Sequence, residues 1–354
     1  MKATTRHKLK WILFGTVLVP SALALAGFLY WQGFDLDAQP AASAHSTLAD
    51  LDFMRNRVGE TRGRILAVVS STPHFPGSTR KAGFELTELA RAYLVFEANG
   101  YQVDIASPRG GMPPMRVDED LLAADHAFLN DAATMHKLEH SLRVEEVDGA
   151  AYAAVYLVGG KGAMFDFPDH PGLQGILRDV YQSGGVVGAV CHGPAGWLNV
   201  RLPDGRLLIQ GRRVTGFSNA EELFLIEEAR QLFPYLLQDQ LTRQGAQFEE
   251  GPLYLDNTIV DGRLISGQNP WSTWSVAEAM VRALGHVPVE RRRSGEERSV
   301  AVLDAYYREG AAAAQRMRGA HADVDRRLLL MHALIAGMQG RVMDAYRMQA
   351  LARP

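Results

Sequence analysis

The sequence predicts an α/β fold with a mainly parallel sheet, and three observations support this. Short apolar runs of strand character alternate with amphipathic helical runs between residues 64 and 284, which is the pattern of βαβ units. The strand runs consist largely of small or β-branched apolar residues, as expected where both faces of a sheet are covered. The glycine-rich loop 159–162 follows one of them and Cys191 follows another, and sites in parallel sheets lie at such strand ends.

The elements follow one another in order along this region. Strands are predicted at residues 64–70, 101–106, 153–158 and 184–190, and helices at about 84–99, 119–130, 133–141 and 171–183. The later part predicts a hairpin-like strand pair at 207–215, a helix opened by the capping box Ser218–Glu221, a helix at about 234–244, a hairpin at 257–265 turning at Asp261–Gly262, and a helix at 273–284.

The composition is that of a globular protein. The 354 residues are 47% hydrophobic and 22% charged, with a net charge of −3, which suits one large domain or two small ones. No long basic face or aromatic-interleaved patch points to a nucleic-acid partner. The single cysteine excludes an intrachain disulfide and leaves the redox compartment open. His126, His136 and His140 have no recognisable metal-ligand spacing, so no metal site is predicted.

The N-terminus predicts a membrane anchor. Four basic residues, the last of them Lys10, precede an uncharged run at 11–31, and about 20 apolar residues suffice to span a bilayer. The charge distribution predicts a cytoplasmic N-terminus and an extracytoplasmic main domain. A cleaved signal peptide is the alternative, because residues 24–26 fit a small-residue cleavage pattern. We prefer the uncleaved helix because the run continues into Phe28, Tyr30 and Trp31.

The domain prediction follows from these segments. It places a membrane anchor at 1–33, a linker at 34–61, the main domain at 62–287, a second linker at 288–298 and a helical extension at 299–354. In the extension, an apolar stripe along one helix face is formed by Val324, Leu328, Met331, Ile335, Met338 and Val342. It predicts two antiparallel helices that pack on each other, on the main domain or on a second subunit.

Cys191 is the candidate nucleophile. It follows the buried run 184–190, and His192-Gly193-Pro194 suit a sharp turn into a helix with proline at its first position. Such a strand–nucleophile–helix corner presents the side chain at the sheet edge, and the helix N-terminus favours a thiolate. The alternative is an inert buried thiol, but the corner sequence favours a reactive one.

The groups that a catalytic thiolate needs have candidates nearby in the sequence. His192 is adjacent and can act as a base, or it satisfies a backbone group. Glu88 lies beside the apolar face of the first helix. An acid that is buried there near a thiol has a raised pKa and can share a proton with the thiol. The alternative is a solvated carboxylate on the helix surface. Gly159–Gly160 can offer N–H groups to an oxyanion, or form a plain turn.

Several motifs of the main domain together resemble those of a known family. Residues 64–284 are similar to the ThiJ/PfpI superfamily with the class I glutamine amidotransferase-like fold, most of all to its heat-shock-chaperone and glyoxalase III branch. The motifs that carry the resemblance are Gly83–Phe84 with Glu88, and residues 106–111, 159–166, 189–194, 214–222 and 261–270. The resemblance implies a flavodoxin-like sandwich.

The resemblance also implies roles for individual residues. Cys191 is implied as nucleophile, His192 as proton shuttle and Glu88 as the acid bonded to the thiol. An acid of the Glu221–Glu222 pair would orient the histidine, and the N–H groups of Gly160 and His192 would lie near the oxyanion. Lys161 replaces a usual histidine, and Ala92 replaces a usual proline. Lys161 leaves the substrate preference open, because a lysine can bind an anionic group or lower the pKa of the thiol.

The implied reaction is the cofactor-free conversion of a small aldehyde such as methylglyoxal to lactate, or a related deglycation. A second hypothesis is a membrane-tethered stress chaperone or redox sensor that uses Cys191 without turnover. A third is an amidotransferase or peptidase; amidotransferases of this superfamily carry a His-x-Glu pair, which is absent from the sequence. The sequence leaves a homodimer open.

Overall fold

The computed structural model describes residues 19–36, 39, 41–117, 120–321 and 323–354. These residues form two compact units. The larger unit is the continuous segment Ala42–Arg292, and the smaller unit combines the described residues up to Ala41 with Arg293–Pro354.

A seven-stranded sheet forms the centre of the larger unit, and it confirms the predicted α/β class. Its strands are, in chain order, β1 (Gly63–Val68), β3 (Tyr101–Ser107), β5 (Leu142–Arg143), β6 (Ala154–Leu157), β7 (Val186–Val190), β10 (Thr258–Asp261) and β11 (Leu264–Gly267). The spatial order is β10-β11-β7-β6-β1-β3-β5. All neighbours pair in parallel except β10 and β11. Two short parallel pairs lie outside the sheet, β2 (Phe84–Glu85) with β4 (Met115–Arg116) and β8 (Arg213–Val214) with β9 (Gln247–Phe248).

Helices cover both faces of this sheet. In chain order, the α-helices among the described residues of both units are α1 (Val19–Gln32), α2 (Asp52–Arg55), α3 (Leu86–Ala98), α4 (Ala123–Asn130), α5 (Ala132–Glu139), α6 (Ala163–Asp166), α7 (Pro171–Gln182), α8 (Asn219–Leu225), α9 (Ala229–Leu232), α10 (Leu237–Arg243), α11 (Thr273–Ala283), α12 (Gly295–Glu309), α13 (Ala311–Gly319), α14 (Arg326–Met338) and α15 (Val342–Leu351). Of these, α2 to α11 belong to the larger unit. Along β6, Val155 and Leu157 belong to the same core as Leu173 of α7. Tyr156 lies between them and contacts Phe96 of α3. Because side chains alternate along a strand, α3 and α7 lie on opposite faces.

Two strand predictions after Cys191 have different outcomes. The hairpin at 257–265 is confirmed, because β10 and β11 pair antiparallel around Asp261–Gly262 and Gly262 has φ +62°. The hairpin-like pair at 207–215 is wrong. Leu207 forms only an isolated bridge with Arg201, and Arg213–Val214 pairs in parallel with a strand more than thirty residues further along.

The predicted transmembrane helix is also wrong. Of the predicted span, residues 11–18 lie outside the described residues, and the remainder forms α1, which has 14 residues. Within the described ranges no helix combines the length and apolar character needed to cross a bilayer. This finding also overturns the predictions of a membrane partner and of a membrane-anchored, extracytoplasmic domain.

The aromatic residues at the end of α1 have partners within the smaller unit instead. The hydroxyl of Tyr30 donates to Oε1 of Gln349 at 2.5 Å. The guanidinium of Arg353 lies over the rings of Tyr30 and Phe34, 5.0 and 5.5 Å from their centroids. Phe34 is 1% exposed, and Arg326 donates to its carbonyl oxygen. The aromatic cluster therefore joins the N-terminal segment to the last helices.

The helical extension contains four helices, α12 to α15, where two were predicted. The predicted single stripe does not run along one helix, because α14 ends at Met338 and Gly340 turns the chain with φ +74° before α15 begins. Leu328 and Ile335 are buried, whereas Met338 and Val342 are 65% and 69% exposed.

Candidate active site

The corner after β7 holds Cys191 in a strained conformation. All five residues of β7 are buried, and Cys191 has φ +58°, a left-handed conformation that non-glycine residues rarely adopt. Its N–H donates to the carbonyl of Gly267 at 2.9 Å, and its own carbonyl accepts from the N–H of Phe217 at 2.8 Å. A short 3₁₀ helix, Gly193–Trp197, follows. Hydrogen bonds on both sides thus hold the nucleophile corner that the sequence predicts.

Three side chains form a continuous polar chain at this corner. Sγ of Cys191 lies 3.3 Å from Nδ1 of His192. Nε2 of His192 lies 2.6 Å from Oε2 of Glu222. His192 is 2% exposed, and its ring packs against Phe217 and Phe233 with centroids 4.7 and 5.9 Å apart. A nucleophile, a base and an acid that orients the base are the groups that thiolate chemistry requires.

Glu221 has a different environment from its neighbour Glu222. Ser218 and Glu221 form the predicted capping box of α8, in which Oε2 of Glu221 accepts from the Ser218 N–H at 3.1 Å. Oε1 of Glu221 accepts from the N–H of Tyr254 at 2.7 Å and from Nδ2 of Asn269 at 2.8 Å. All three partners are donors, so Glu221 holds the start of α8 together with two neighbouring loops. Of the predicted pair, Glu222 contacts the histidine.

Glu88 is completely buried on α3 next to the nucleophile. Its Oε2 accepts from the N–H of Gly159 at 2.7 Å. A Cβ atom on Gly159 would lie 2.5 Å from this oxygen and 2.7 Å from Cβ of Cys191. Glycine at 159 therefore lets the acid and the cysteine approach from either side of one backbone. The interpretation of Glu88 as a solvated carboxylate does not hold, and the Gly159 N–H is already engaged.

Burial raises the pKa of the Cys191 thiol, and the nearby carboxyl groups of Glu88 and Glu85 raise it further. The positive charge of Lys161 and a hydrogen bond from the backbone of Gly160 lower this pKa. A carboxylate on Glu88 and a thiolate on Cys191 would repel each other in this buried site. The thiolate therefore forms most readily while the carboxyl group keeps its proton, so that the two groups together hold one proton. The expected activation by a helix N-terminus is thus opposed by desolvation.

The loop that carries Gly160 and Lys161 is fixed by its neighbours. Gly160 has φ +97°, and a Cβ there would lie 2.5 Å from the carbonyl oxygen of Gly83. The N–H of Gly162 donates to the same oxygen at 3.0 Å. Behind the loop, Oδ2 of Asp166 accepts from the hydroxyl of Ser70 at 2.9 Å. The backbone of Gly160 is therefore held against the end of the Cys191 corner.

An aromatic wall around His192 was not predicted from the sequence. It comprises Phe75, Phe165, Phe217, Phe233 and Tyr254, which contact one another or the histidine ring. Tyr254 has φ +54° and is nearly buried. These residues come from five separate segments of the chain, so the periodicity of the sequence does not indicate that they assemble around the histidine. The one local signal is Phe217, which directly precedes the capping box.

The histidines that lacked metal spacing lie away from this corner along the chain. His136 and His140 stack on each other with centroids 4.2 Å apart at the end of α5. Among the residues that the structure describes, no group of three or more His, Cys, Asp or Glu side chains is arranged to hold a metal ion.

Comparison with known proteins matches the same region. The model of the DJ-1/PfpI family matches residues 80–283. The chain is 33% identical over 237 residues to the glutathione-independent glyoxalase HSP31 of Saccharomyces cerevisiae, covering 62% of this chain and 97% of the relative. It is 31% identical over 228 residues to glyoxalase 3 of Candida albicans, covering 62% and 97%.

Solved structures match this region as well. The Rapid Encystment Protein 24 kDa of Francisella tularensis has 30% identity and a TM-score of 0.60, covering 63% of this chain and 99% of that protein. Glyoxalase III from Candida albicans has 28% identity and a TM-score of 0.56, covering 64% and 98%.

Proposed function

The chain belongs to the DJ-1/PfpI family, and we propose that it is a cofactor-independent, glyoxalase III-like enzyme acting on reactive aldehydes such as methylglyoxal. The relatives named as glutathione-independent glyoxalases support this reaction. The observation that carries it is the buried chain from Cys191 through His192 to Glu222, with Glu88 on the other side of the sulfur.

The first step is addition of the thiolate to the aldehyde. His192 accepts the thiol proton, because its Nδ1 lies 3.3 Å from Sγ, and the resulting imidazolium is stabilised by the carboxylate of Glu222. The sulfur forms a bond to the aldehyde carbon, and the former carbonyl oxygen takes up a proton. The product is a hemithioacetal. The backbone of Gly160, which hydrogen-bonds the sulfur, is the proposed donor to the oxyanion as it forms.

The second step moves hydrogen between the two carbons. A base removes the proton from the carbon bonded to sulfur, and the neighbouring ketone oxygen takes up a proton. The hydroxyl on the first carbon then loses its proton while the second carbon receives one, which yields a thioester of the 2-hydroxy acid. His192 is the proposed carrier. Water then hydrolyses the thioester, which releases lactate and restores the thiol. The sum is methylglyoxal plus water to lactate, so no external oxidant, reductant or thiol cofactor is consumed.

The test is lactate formation from methylglyoxal by the purified full-length chain, with Cys191→Ala as the control. We expect steady lactate production by the wild type and loss of at least a thousand-fold in the variant. If both proteins are inactive while both suppress aggregation of an unfolding client, the alternative of a chaperone without turnover replaces the enzyme. Loss of activity with retained near-UV circular dichroism in the variant excludes misfolding as the cause.

A further inference from the structure

Lys161 is a half-buried cation on the loop that carries Gly160. Its ammonium group makes no ion pair or hydrogen bond with any residue in the described part of the chain. Two basic side chains that are likewise partly or fully buried in the larger unit do have such partners: Arg91 pairs with Asp125, and Lys137 donates to Tyr93. A partly desolvated ammonium group without a counter-ion is a favourable place for an anion.

The position of Lys161 relative to the sulfur is fixed by the loop. Its positive charge acts on the Cys191 thiol, and the residue directly before it hydrogen-bonds that sulfur. The loop cannot relax away, because Gly160 and Gly162 both pack against the carbonyl of Gly83. Besides Glu88, the carboxylate of Glu85 also acts on the thiol, and it has interactions of its own. The flexible four-carbon stem of lysine lets the ammonium reach across the site.

We propose that Lys161 forms an anion subsite beside Cys191, so that the preferred substrates are 2-oxoaldehydes with a carboxylate or phosphate group on the carbon chain beyond the ketone. This inference rests on the proposed glyoxalase function and specifies its substrate class. The anion would pair with Lys161 while the aldehyde carbon lies at Sγ, and the chemistry is unchanged. For 4,5-dioxopentanoate, water is added and the product is 2-hydroxypentanedioate, with the distal carboxylate intact.

The experiment compares two substrates of equal length on the full-length chain. They are 4,5-dioxopentanoate, which is anionic, and its uncharged amide, 4,5-dioxopentanamide. We expect kcat/KM to favour the anion by about 10- to 100-fold in the wild type. Lys161→Met should bring this ratio to about one, and Lys161→Arg should retain most of it. Because Lys161 also acts on the thiol, Lys161→Met slows both substrates, and the ratio isolates anion recognition.

Matched controls separate the subsite from general charge effects. Arg178→Met removes one positive charge on α7 and should leave the ratio unchanged. A wild-type ratio near one, or a ratio that Lys161→Met leaves intact, overturns the inference while the glyoxalase function stands. If no 2-oxoaldehyde is turned over, the proposed function fails. Protection of Cys191 from iodoacetamide by 2-hydroxypentanedioate but not by lactate then still supports the subsite, and equal protection by both overturns it.

Discussion

Nε2 of His192 and Oε2 of Glu222 are 2.6 Å apart, and both side chains are buried. At this distance the carboxylate fixes the orientation of the imidazole ring and directs its other nitrogen to the sulfur of Cys191. The neighbouring Glu221 has three donors of its own and belongs to the scaffold. The role of Glu222 in turnover and the role of Glu221 in stability can therefore be tested separately.

Replacing Glu222 should affect turnover more than folding. Glu222→Gln removes the charge that stabilises the protonated histidine. We expect kcat for methylglyoxal to fall by about 10²- to 10⁴-fold, the upper figure being the effect of replacing the acid that orients a catalytic histidine by its amide. Glu221→Gln is the matched variant. Its amide NH₂ group would face a donor, so the free energy of unfolding should fall by about 1–3 kcal/mol. Urea denaturation and steady-state rates of both variants check this, and a reversed pattern would contradict the assignment.

A methyl group at position 159 should separate the acid from the nucleophile. Gly159→Ala places Cβ 2.5 Å from Oε2 of Glu88 and 2.6 Å from the carbonyl oxygen of Val190, so the backbone must shift, at a cost of about 1–3 kcal/mol. We expect activity to fall more than ten-fold. Gly175→Ala on α7 is the control, because its Cβ meets nothing closer than 3.7 Å. Full activity of Gly159→Ala would show that the close approach is unnecessary.

The reactivity of Cys191 should depend on pH in a defined direction. Burial, followed by Glu88 and Glu85, raises the pKa of the thiol, so the neutral thiol dominates at low pH and the rate of alkylation should increase as the pH rises above neutrality. Lys161→Met removes a cation that lowers this pKa, which should move the midpoint to higher pH. Since Cys191 is the only cysteine, iodoacetamide labelling measured by mass spectrometry reports it directly. An unchanged midpoint in Lys161→Met would mean that the ammonium does not act on the sulfur.

Phe34 should stabilise the smaller unit. It is 1% exposed, and the guanidinium of Arg353 lies over its ring. Phe34→Ala should cost about 3–5 kcal/mol, as for other buried phenylalanines. Hydrogen exchange measured on peptides from α14 and α15 should show the loss, whereas Phe28→Ala, at a position 58% exposed, should have little effect. Equal protection in both variants would show that the N-terminal segment does not support these helices.

The nucleophile corner and the sheet were predictable because their signals are local. The run 184–190 and the residues after Cys191 specify a strand and a turn within a dozen positions. The local sequence also indicates which acid of the pair contacts His192. The capping box Ser218–Glu221 already commits Glu221 to the start of α8, which leaves its neighbour for the histidine.

Other features depend on distant partners. Phe233 contacts His192, and Tyr254 contacts Phe217, from segments distant in the sequence. No pattern around either residue indicates this. The apolar run at 11–31 has the same hydropathy whether it enters a bilayer or packs against other helices. Within α1, the contacts of Tyr30 with Gln349 and Arg353 indicate packing within the protein. Both partners lie more than three hundred residues away, so the local sequence carries no sign of these contacts. The stripe at 324–342 does not predict a single helix face correctly, because α14 ends at Met338 and Gly340 turns the chain before α15 begins at Val342.

The smaller unit is assembled from two segments that flank the whole of Ala42–Arg292. During synthesis, α1 and Phe34 leave the ribosome well before Arg326 and Gln349 exist, so this segment must wait for its partners while the intervening sheet folds. A translational pause or truncation in the last sixty or so residues would leave the aromatic cluster uncovered although the larger unit is already complete. Chaperone capture of nascent chains should therefore persist until the final helices emerge.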